Sequence, residues 1–172
     1  MTAPPLLVYT LAHVAISLLA AIAGFVTVGG WMAGTHLSNW TKLFFITTTL
    51  TSATGFFFPF HGVTPALVAG IISLALLSGS AYANWAGRLA GGWRRAYVIT
   101  AVAALYLNVF VLVVQLFRKI PALTALAPNQ TEPPFAISQL AVLALFLGLG
   151  WMAVRRFPTR QDVSRASALV NE

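Results

Sequence analysis

The side chains best suited to chemistry in this chain are its histidines and one carboxylate. His13 and His61 lie within or beside apolar segments, and Glu132 is the only acidic residue before the carboxy-terminal tail. Imidazole and carboxylate groups are acceptable ligands for zinc or a non-haem metal. Their spacing matches no metal motif such as H-E-x-x-H. The residue types alone therefore make His13 and His61 candidate metal ligands.

Haem and nucleophilic chemistry can be tested on the same residues. Paired histidines on neighbouring helices hold haem b in membrane bundles, but helix rise places His13 about 10 Å deeper than His61. His36 falls on the opposite side of the membrane, so haem b stays a further alternative. The chain has no cysteine, no Asp before its tail and no G-x-S-x-G sequence. A Ser-His-Asp triad cannot form, and we expect a non-enzymatic protein.

The composition indicates the solvent in which these groups must lie. Of 172 residues, 59% are hydrophobic and 8% are charged, against about 25% charged in an ordinary soluble domain. Thirteen Lys, Arg, Asp and Glu cannot cover a water-exposed surface of this size. The composition therefore predicts an integral membrane protein. The net charge of +7 does not indicate nucleic-acid binding, because the basic residues flank apolar runs.

Five apolar runs are long enough to cross a bilayer as helices of about 20 residues. They predict an all-α bundle, residues 1–156, with transmembrane helices at 6–32, 43–60, 63–85, 96–117 and 135–154. Pro59, Gly62 and Pro65 predict a tight hairpin between the second and third helices. A cleaved signal peptide is disfavoured for the first run, because no Lys or Arg precedes it.

Basic residues predict the orientation, because Lys and Arg are retained on the cytoplasmic side. Two lie on one side of the five helices, Arg118 and Lys119. The others share the opposite side: Lys42, Arg88, Arg94, Arg95, Arg155, Arg156, Arg160 and Arg165. We expect an external N-terminus, an outer loop at 118–134 containing a short helix, and a polar cytoplasmic tail at 157–172. Short loops and a Cys-free, Ala-rich composition favour a bacterial cytoplasmic membrane.

Helical periodicity of 100° per residue predicts which faces point into the bundle. The packing face of the first helix contains His13, Ser17, Ala20, Gly24 and Thr27. The Ala20 and Gly24 pair is small enough for close helix approach. On the fourth helix, Asn108 lies at mid-membrane depth and shares a face with Gln115. An amide at that depth needs a partner on another helix or in a cavity.

Helix rise also predicts a shared depth for the polar groups, about 9 to 14 Å below the outer surface. This polar layer comprises His13, Thr51, Thr54, Ser73 and Asn108. Above it we expect His61, Gln115, Gln139 and Glu132, which would form a funnel that opens outward. The candidate ligand-binding residues are therefore His13, Thr51, Thr54, His61, Ser73, Asn108, Gln115 and Glu132.

Two functions are compatible with this pattern. An accessory or assembly subunit of a membrane complex is favoured, because ion pathways usually contain intramembrane Asp, Glu, Lys or Arg, and the five runs contain none. The alternative is the binding or transport of a lipid, a quinone or a small solute in the outward funnel. The expected partners are the lipid bilayer and other membrane subunits or a second copy of the chain, and not nucleic acid.

Overall fold

The described chain is entirely helical. A computed structural model describes residues 4–59, 62 and 64–157, and within these ranges it contains helices and no strand. The helices are α1 (Pro4–Met32), α2 (Ser38–Gly55), α3 (Pro65–Trp85), α4 (Gly92–Lys119), α5 (Pro121–Leu126) and α6 (Pro133–Arg156). The predicted all-α class is confirmed. His61 and the tail beyond Phe157 lie outside the described residues.

Four of these helices are long and apolar enough to cross a membrane: α1, α3, α4 and α6. The chain is therefore a helical integral membrane protein. The short α5 lies within the segment predicted to form a short helix in the loop after α4. The remaining helix, α2, has 18 residues and is rich in threonine.

The limits of α2 differ from the prediction of 43–60. The helix begins five residues earlier, because the polar segment from Ser38 to Lys42 is already helical. It ends at Gly55, and Phe56 to Phe58 form a turn in which the Phe57 N–H bonds the Thr54 carbonyl at 3.1 Å. Pro59 disfavours a helical conformation in the residue before it. An apolar run therefore does not mark the ends of this helix.

Helices α1, α2, α3 and α4 form a four-helix ring. In it α1 packs on α2 and α4, and α3 also packs on α2 and α4, while α6 lies outside against α1 and α4. The start of α1 and the end of α4 lie at one end of the ring, which we call the Pro4 end. The end of α1 and the end of α6 lie at the other, the Arg156 end. The ring is the element that positions the polar layer.

Aromatic side chains fill the Arg156 end. Trp31 is fully buried, with ring centroids 5.5 Å from Tyr97 and 5.3 Å from Phe157. The Arg94 guanidinium donates a hydrogen bond to the Phe157 carbonyl, and Arg156 donates to the Met32 carbonyl at 3.4 Å. Side-chain donors thus satisfy carbonyls that helix ends leave without partners. This end of the ring is tightly closed.

Small residues allow α1 to approach the ring closely near its centre. Ala20 is fully buried, and Gly24 lies against α2 and α4. A Cβ atom on Gly24 would overlap the Leu105 side chain and lie 3.0 Å from Cδ2 of Phe44. This confirms that the predicted strip of α1 faces into the bundle. Glycine is needed at this position because the facing side chains already occupy the space.

Replacing Gly24 with leucine should lower the free energy of unfolding by about 2 kcal/mol, since extra volume in a filled core forces side chains and backbone to move. Gly29→Leu is the matched control on α1, because a Cβ atom there meets nothing within 4 Å. We expect the control to unfold like the parent protein. Unfolding in mixed detergent micelles measures both variants, and equal stabilities would contradict the close approach of α1 to α2 and α4.

Candidate functional site

A cavity of about 720 Å³ lies inside the Pro4 half of the four-helix ring. It extends from Leu6 and Lys119 near the Pro4 end to Ser17, Ser73 and Asn108 near the middle of their helices. Small residues on α2 and α3 leave this space: Gly55, Ala66, Ala69 and Gly70. Two phenylalanines, Phe56 and Phe58, also line the cavity but do not fill it. Most of the cavity wall is apolar, with a few polar side chains between.

His13 is held on the cavity wall by α2. Its Nδ1 lies 2.9 Å from the hydroxyl oxygen of Thr54, and that hydroxyl donates its single proton to the Leu50 carbonyl at 2.7 Å. When that proton lies toward the Leu50 carbonyl, the hydroxyl can only accept a hydrogen bond, which favours the His13 tautomer that donates from Nδ1–H. The imidazole also packs edge-on against Phe58, with ring centroids 5.0 Å apart. Thr54 on α2 and Phe58 in the turn after α2 thus orient the imidazole ring.

A second group of hydrogen bonds joins three helices at the same level. The Ser17 hydroxyl donates to the His13 carbonyl at 2.8 Å, so the Thr51 hydroxyl must donate to Ser17 in their close contact. From α4, the Asn108 amide donates to the Ser17 carbonyl at 3.1 Å. This confirms that Asn108 is bonded to another helix. Part of the polar layer therefore ties α1, α2 and α4 together.

Three other polar side chains of the cavity wall, Thr48, Ser52 and Ser73, form no hydrogen bond between helices among the described residues. Thr48 is 1% exposed and lines the cavity, yet its Oγ1 has no hydrogen-bond partner among the described residues. Most hydroxyls in lipid-buried helices bond the carbonyl one turn earlier, as Thr47 does toward Leu43 at 2.7 Å. Ser52 and Ser73 are also buried and line the cavity. An unpaired buried hydroxyl is costly, and Thr27 on α1, which does not line the cavity, has one as well.

The structure brings most of the predicted site residues together. Five of them line the cavity: His13, Thr51, Ser73, Asn108 and Gln115. Thr54 lies behind His13 and orients it. His61 lies outside the described residues, so its place in the funnel stays a prediction.

Glu132 is a correction to the predicted funnel. Its carboxylate accepts hydrogen bonds from Asn129 N at 3.2 Å, Asn129 Nδ2 at 3.1 Å and Thr131 N at 3.0 Å, all within its own loop. Desolvation acts to raise the pKa of Glu132, but these hydrogen bonds outweigh it and hold the pKa below the ordinary value. The Gln130 side chain ties the same loop to the Val114 carbonyl at 2.8 Å. The loop is therefore fastened to α4, and Glu132 is used to close it.

Gln139 and the metal candidates are also placed by the structure. Gln139 donates to the Phe110 carbonyl at 3.3 Å, so it joins α6 to α4, and it does not line the cavity.

His36 lies at the Arg156 end, with its ring 6.0 Å from that of Phe157, and cannot share a ligand with His13. Among the residues described, no three His, Cys, Asp or Glu side chains form a group that could hold a metal ion.

Sequence reasoning missed four polar residues of the cavity wall: Thr10, Thr48, Ser52 and Lys119. Thr48 and Ser52 are four residues apart on α2, so their i, i+4 spacing places them on one helix face. That spacing is visible in the sequence, but Thr51 and Thr54, at the depth of the predicted polar layer, were the threonines of α2 assigned to the site. Lys119 was counted as a loop charge, although α4 extends far enough to bring it to the cavity.

Comparison with protein-family models, with curated proteins and with solved structures finds no match to the chain. The function of the chain is therefore inferred from the geometry of its cavity.

Replacing Asn108 with leucine should lower the free energy of unfolding by about 1 kcal/mol, because the variant loses a hydrogen bond between membrane helices. Asn84→Leu is the matched control, since Asn84 is exposed on α3 and we expect no loss there. Unfolding in mixed detergent micelles compares the two. If Asn108→Leu were as stable as the parent protein, the bond to Ser17 would not hold the ring together.

Proposed function

We propose that this protein binds a membrane-soluble amphipathic molecule, of the lipid or quinone kind, in the cavity of the four-helix ring. The observation that carries the proposal is a cavity of about 720 Å³ whose mostly apolar wall contains a few polar side chains, among them His13, Ser73 and Asn108. Small-molecule sites typically enclose about 300 to 1,000 Å³ and combine apolar walls with a few converging polar groups. The cavity has both properties.

The accessory role favoured from the sequence is the second candidate. The bonds of Asn108 and Thr51 to Ser17 support it, because they show polar groups acting between helices. Hydrogen bonds between helices require no cavity, however, whereas ligand binding accounts for one. Haem b gains no support from the described residues, where His13 and His36 lie at opposite ends of the ring.

The ring is complete in the membrane only if α2 also spans it, and we include this fifth span in the proposal. Its 18 residues extend about 27 Å, close to the hydrocarbon thickness of about 30 Å. Thr47, Thr48 and Thr51, which lower its hydropathy, are buried, whereas Thr49 is exposed. On its outer face Ile46 is 58% exposed and Leu50 is 46% exposed. The face that would meet lipid therefore combines large apolar side chains with one threonine.

The distribution of charge supports an outward-opening cavity. The described basic residues at the Arg156 end are Lys42, Arg88, Arg94, Arg95, Arg155 and Arg156, against Arg118 and Lys119 at the Pro4 end. The excess of Lys and Arg favours the Arg156 end as the cytoplasmic one. Exposed tryptophans at that end, including Trp85 and Trp151, suit the interface with lipid headgroups. In a bacterial cytoplasmic membrane the cavity would then open away from the cytoplasm.

Single cysteines introduced into this Cys-free chain test the orientation and the fifth span together. We expect a membrane-impermeant thiol reagent to label Pro128→Cys in intact cells, and Thr35→Cys and Ala90→Cys only after permeabilisation. Thr35 and Ala90 are separated by α2 and α3, so two crossings return the chain to the same side. Labelling of Thr35→Cys and Ala90→Cys from opposite sides would contradict a spanning α2.

Filling the cavity should abolish binding without unfolding the protein. Val111 lines the cavity from α4, whereas Ile99 is on an exposed face of the same helix. We expect Val111→Trp to weaken the saturable binding of 1-dodecanol at least about tenfold, equivalent to about 1.4 kcal/mol, and Ile99→Trp to bind like the parent protein. Native mass spectrometry of the purified protein measures both binding and co-purifying molecules.

Two results would contradict the proposal. One is equal dodecanol binding by Val111→Trp and the parent protein, which would place the probe outside the cavity. The other is the absence of saturable binding by the parent protein together with a co-purifying membrane subunit, which would support the accessory role.

A further inference from the structure

The geometry points to a cavity that selects ligands by a donated hydrogen bond, which the Nε2 atom of His13 accepts. This inference rests on the proposed function and adds the chemistry of the ligand to it. The expected polar group is a neutral hydroxyl, as in a long-chain alcohol, a phenol or a hydroquinone. A ligand whose oxygen can only accept hydrogen bonds, such as an ether or a quinone carbonyl, would lack this contact.

The hydroxyl proton of Thr54 on α2 decides which nitrogen of His13 carries a hydrogen. Thr54 has a single hydroxyl proton, and the Leu50 carbonyl accepts it at 2.7 Å. The Thr54 oxygen is therefore an acceptor for the Nδ1–H group of His13, which lies 2.9 Å away. A neutral imidazole has one N–H group and one acceptor nitrogen. With the proton at Nδ1, the atom left for a ligand is the lone pair of Nε2.

The position of the ring directs this acceptor to the cavity. His13 lines the cavity, and its Nδ1 is turned toward Thr54 on α2. Its Cε1 atom, between the two ring nitrogens, lies 3.8 Å from the place that a Cβ on Gly55 would occupy. Phe58 holds the ring edge-on. The imidazole therefore has little freedom to turn over and present Nδ1 instead.

Two polar groups beside His13 are bonded within the protein. The Thr51 and Ser17 hydroxyls bond each other, and one N–H of Asn108 donates to the Ser17 carbonyl. The second N–H of Asn108 and the side-chain donors of Gln115 and Lys119 belong to other parts of the cavity wall. The hydroxyl of Ser73 can act as donor or acceptor, because a hydroxyl rotates to suit its partner. The preference for a donating ligand is therefore set at His13, whose Nε2 can only accept a hydrogen bond.

Thr54 acts in this scheme as a positioning residue. Thr54→Val removes the acceptor for Nδ1–H while keeping a similar side-chain shape, so the proton of His13 is free to move to Nε2. The preference for a hydroxyl ligand would then be lost. Thr54→Ser keeps the oxygen that Nδ1–H needs, and we expect it to keep the preference. A purely structural role for Thr54 would change stability and leave ligand discrimination as it is.

The test compares 1-dodecanol with its methyl ether, 1-methoxydodecane, as probes of equal chain length. A hydrogen bond to a neutral group contributes about 1 kcal/mol, so we expect the alcohol to bind the parent protein about fivefold more tightly than the ether. His13→Phe and Thr54→Val should bind the two probes equally, and Thr54→Ser should retain the preference. Native mass spectrometry competition experiments give the ratio of affinities directly.

Nitrogen-15 NMR of the parent protein keeps the test decisive if a variant fails to fold. The His13 signals, assigned by their loss in His13→Phe, should show protonated Nδ1 and unprotonated Nε2. Dodecanol should shift the Nε2 signal and the ether should not. Equal saturable affinities for both probes would overturn the inference and leave the proposed function standing. If neither probe bound saturably, both would be overturned.

Discussion

Polar side chains buried in a membrane bundle must find their partners inside the protein, and this constraint organises the whole structure. In hydrocarbon no water is available to a serine, threonine or asparagine. Ser80 and Thr100 meet this need by pairing at 2.5 Å between α3 and α4. Near the centre of the ring, Ser17 accepts bonds from α2 and α4 for the same reason. Four buried atoms have no partner among the described residues: Thr27 Oγ1, Trp31 Nε1, Thr48 Oγ1 and Gln139 Oε1. Of these four residues, Thr48 lines the cavity.

The two ends of the four-helix ring satisfy the constraint differently. At the Arg156 end, Trp31, Tyr97 and Phe157 fill the space, and arginines bond the free carbonyls of neighbouring segments. At the Pro4 end, Gly55, Ala69 and Gly70 leave the space open. The loop that could have covered this opening is fastened to α4 through Gln130. The difference in side-chain size between the ends therefore leaves a cavity in the Pro4 half of the ring.

Periodicity and depth predicted much of this arrangement from the sequence. The inward face of α1 and the shared level of His13, Ser73 and Asn108 follow from helix geometry, which applies wherever a long apolar helix forms. The end of α2 was misjudged, because an apolar run does not reveal that Phe56 begins a turn. Glu132 was misplaced, because the N–H groups that bind it belong to the conformation of its own loop. The cavity itself depends on how four helices pack, and a single helix pattern contains no information about that.

The central claim is that Ser73 lies on an accessible cavity wall while Ser80, on the same helix, lies in a closed interface. The reactivity of a thiol at each position measures this most directly, because the chain has no cysteine of its own. We predict that a small uncharged thiol reagent modifies Ser73→Cys rapidly in the folded protein, that dodecanol slows the reaction, and that Ser80→Cys does not react. A Ser73→Cys thiol as unreactive as that of Ser80→Cys would contradict the account.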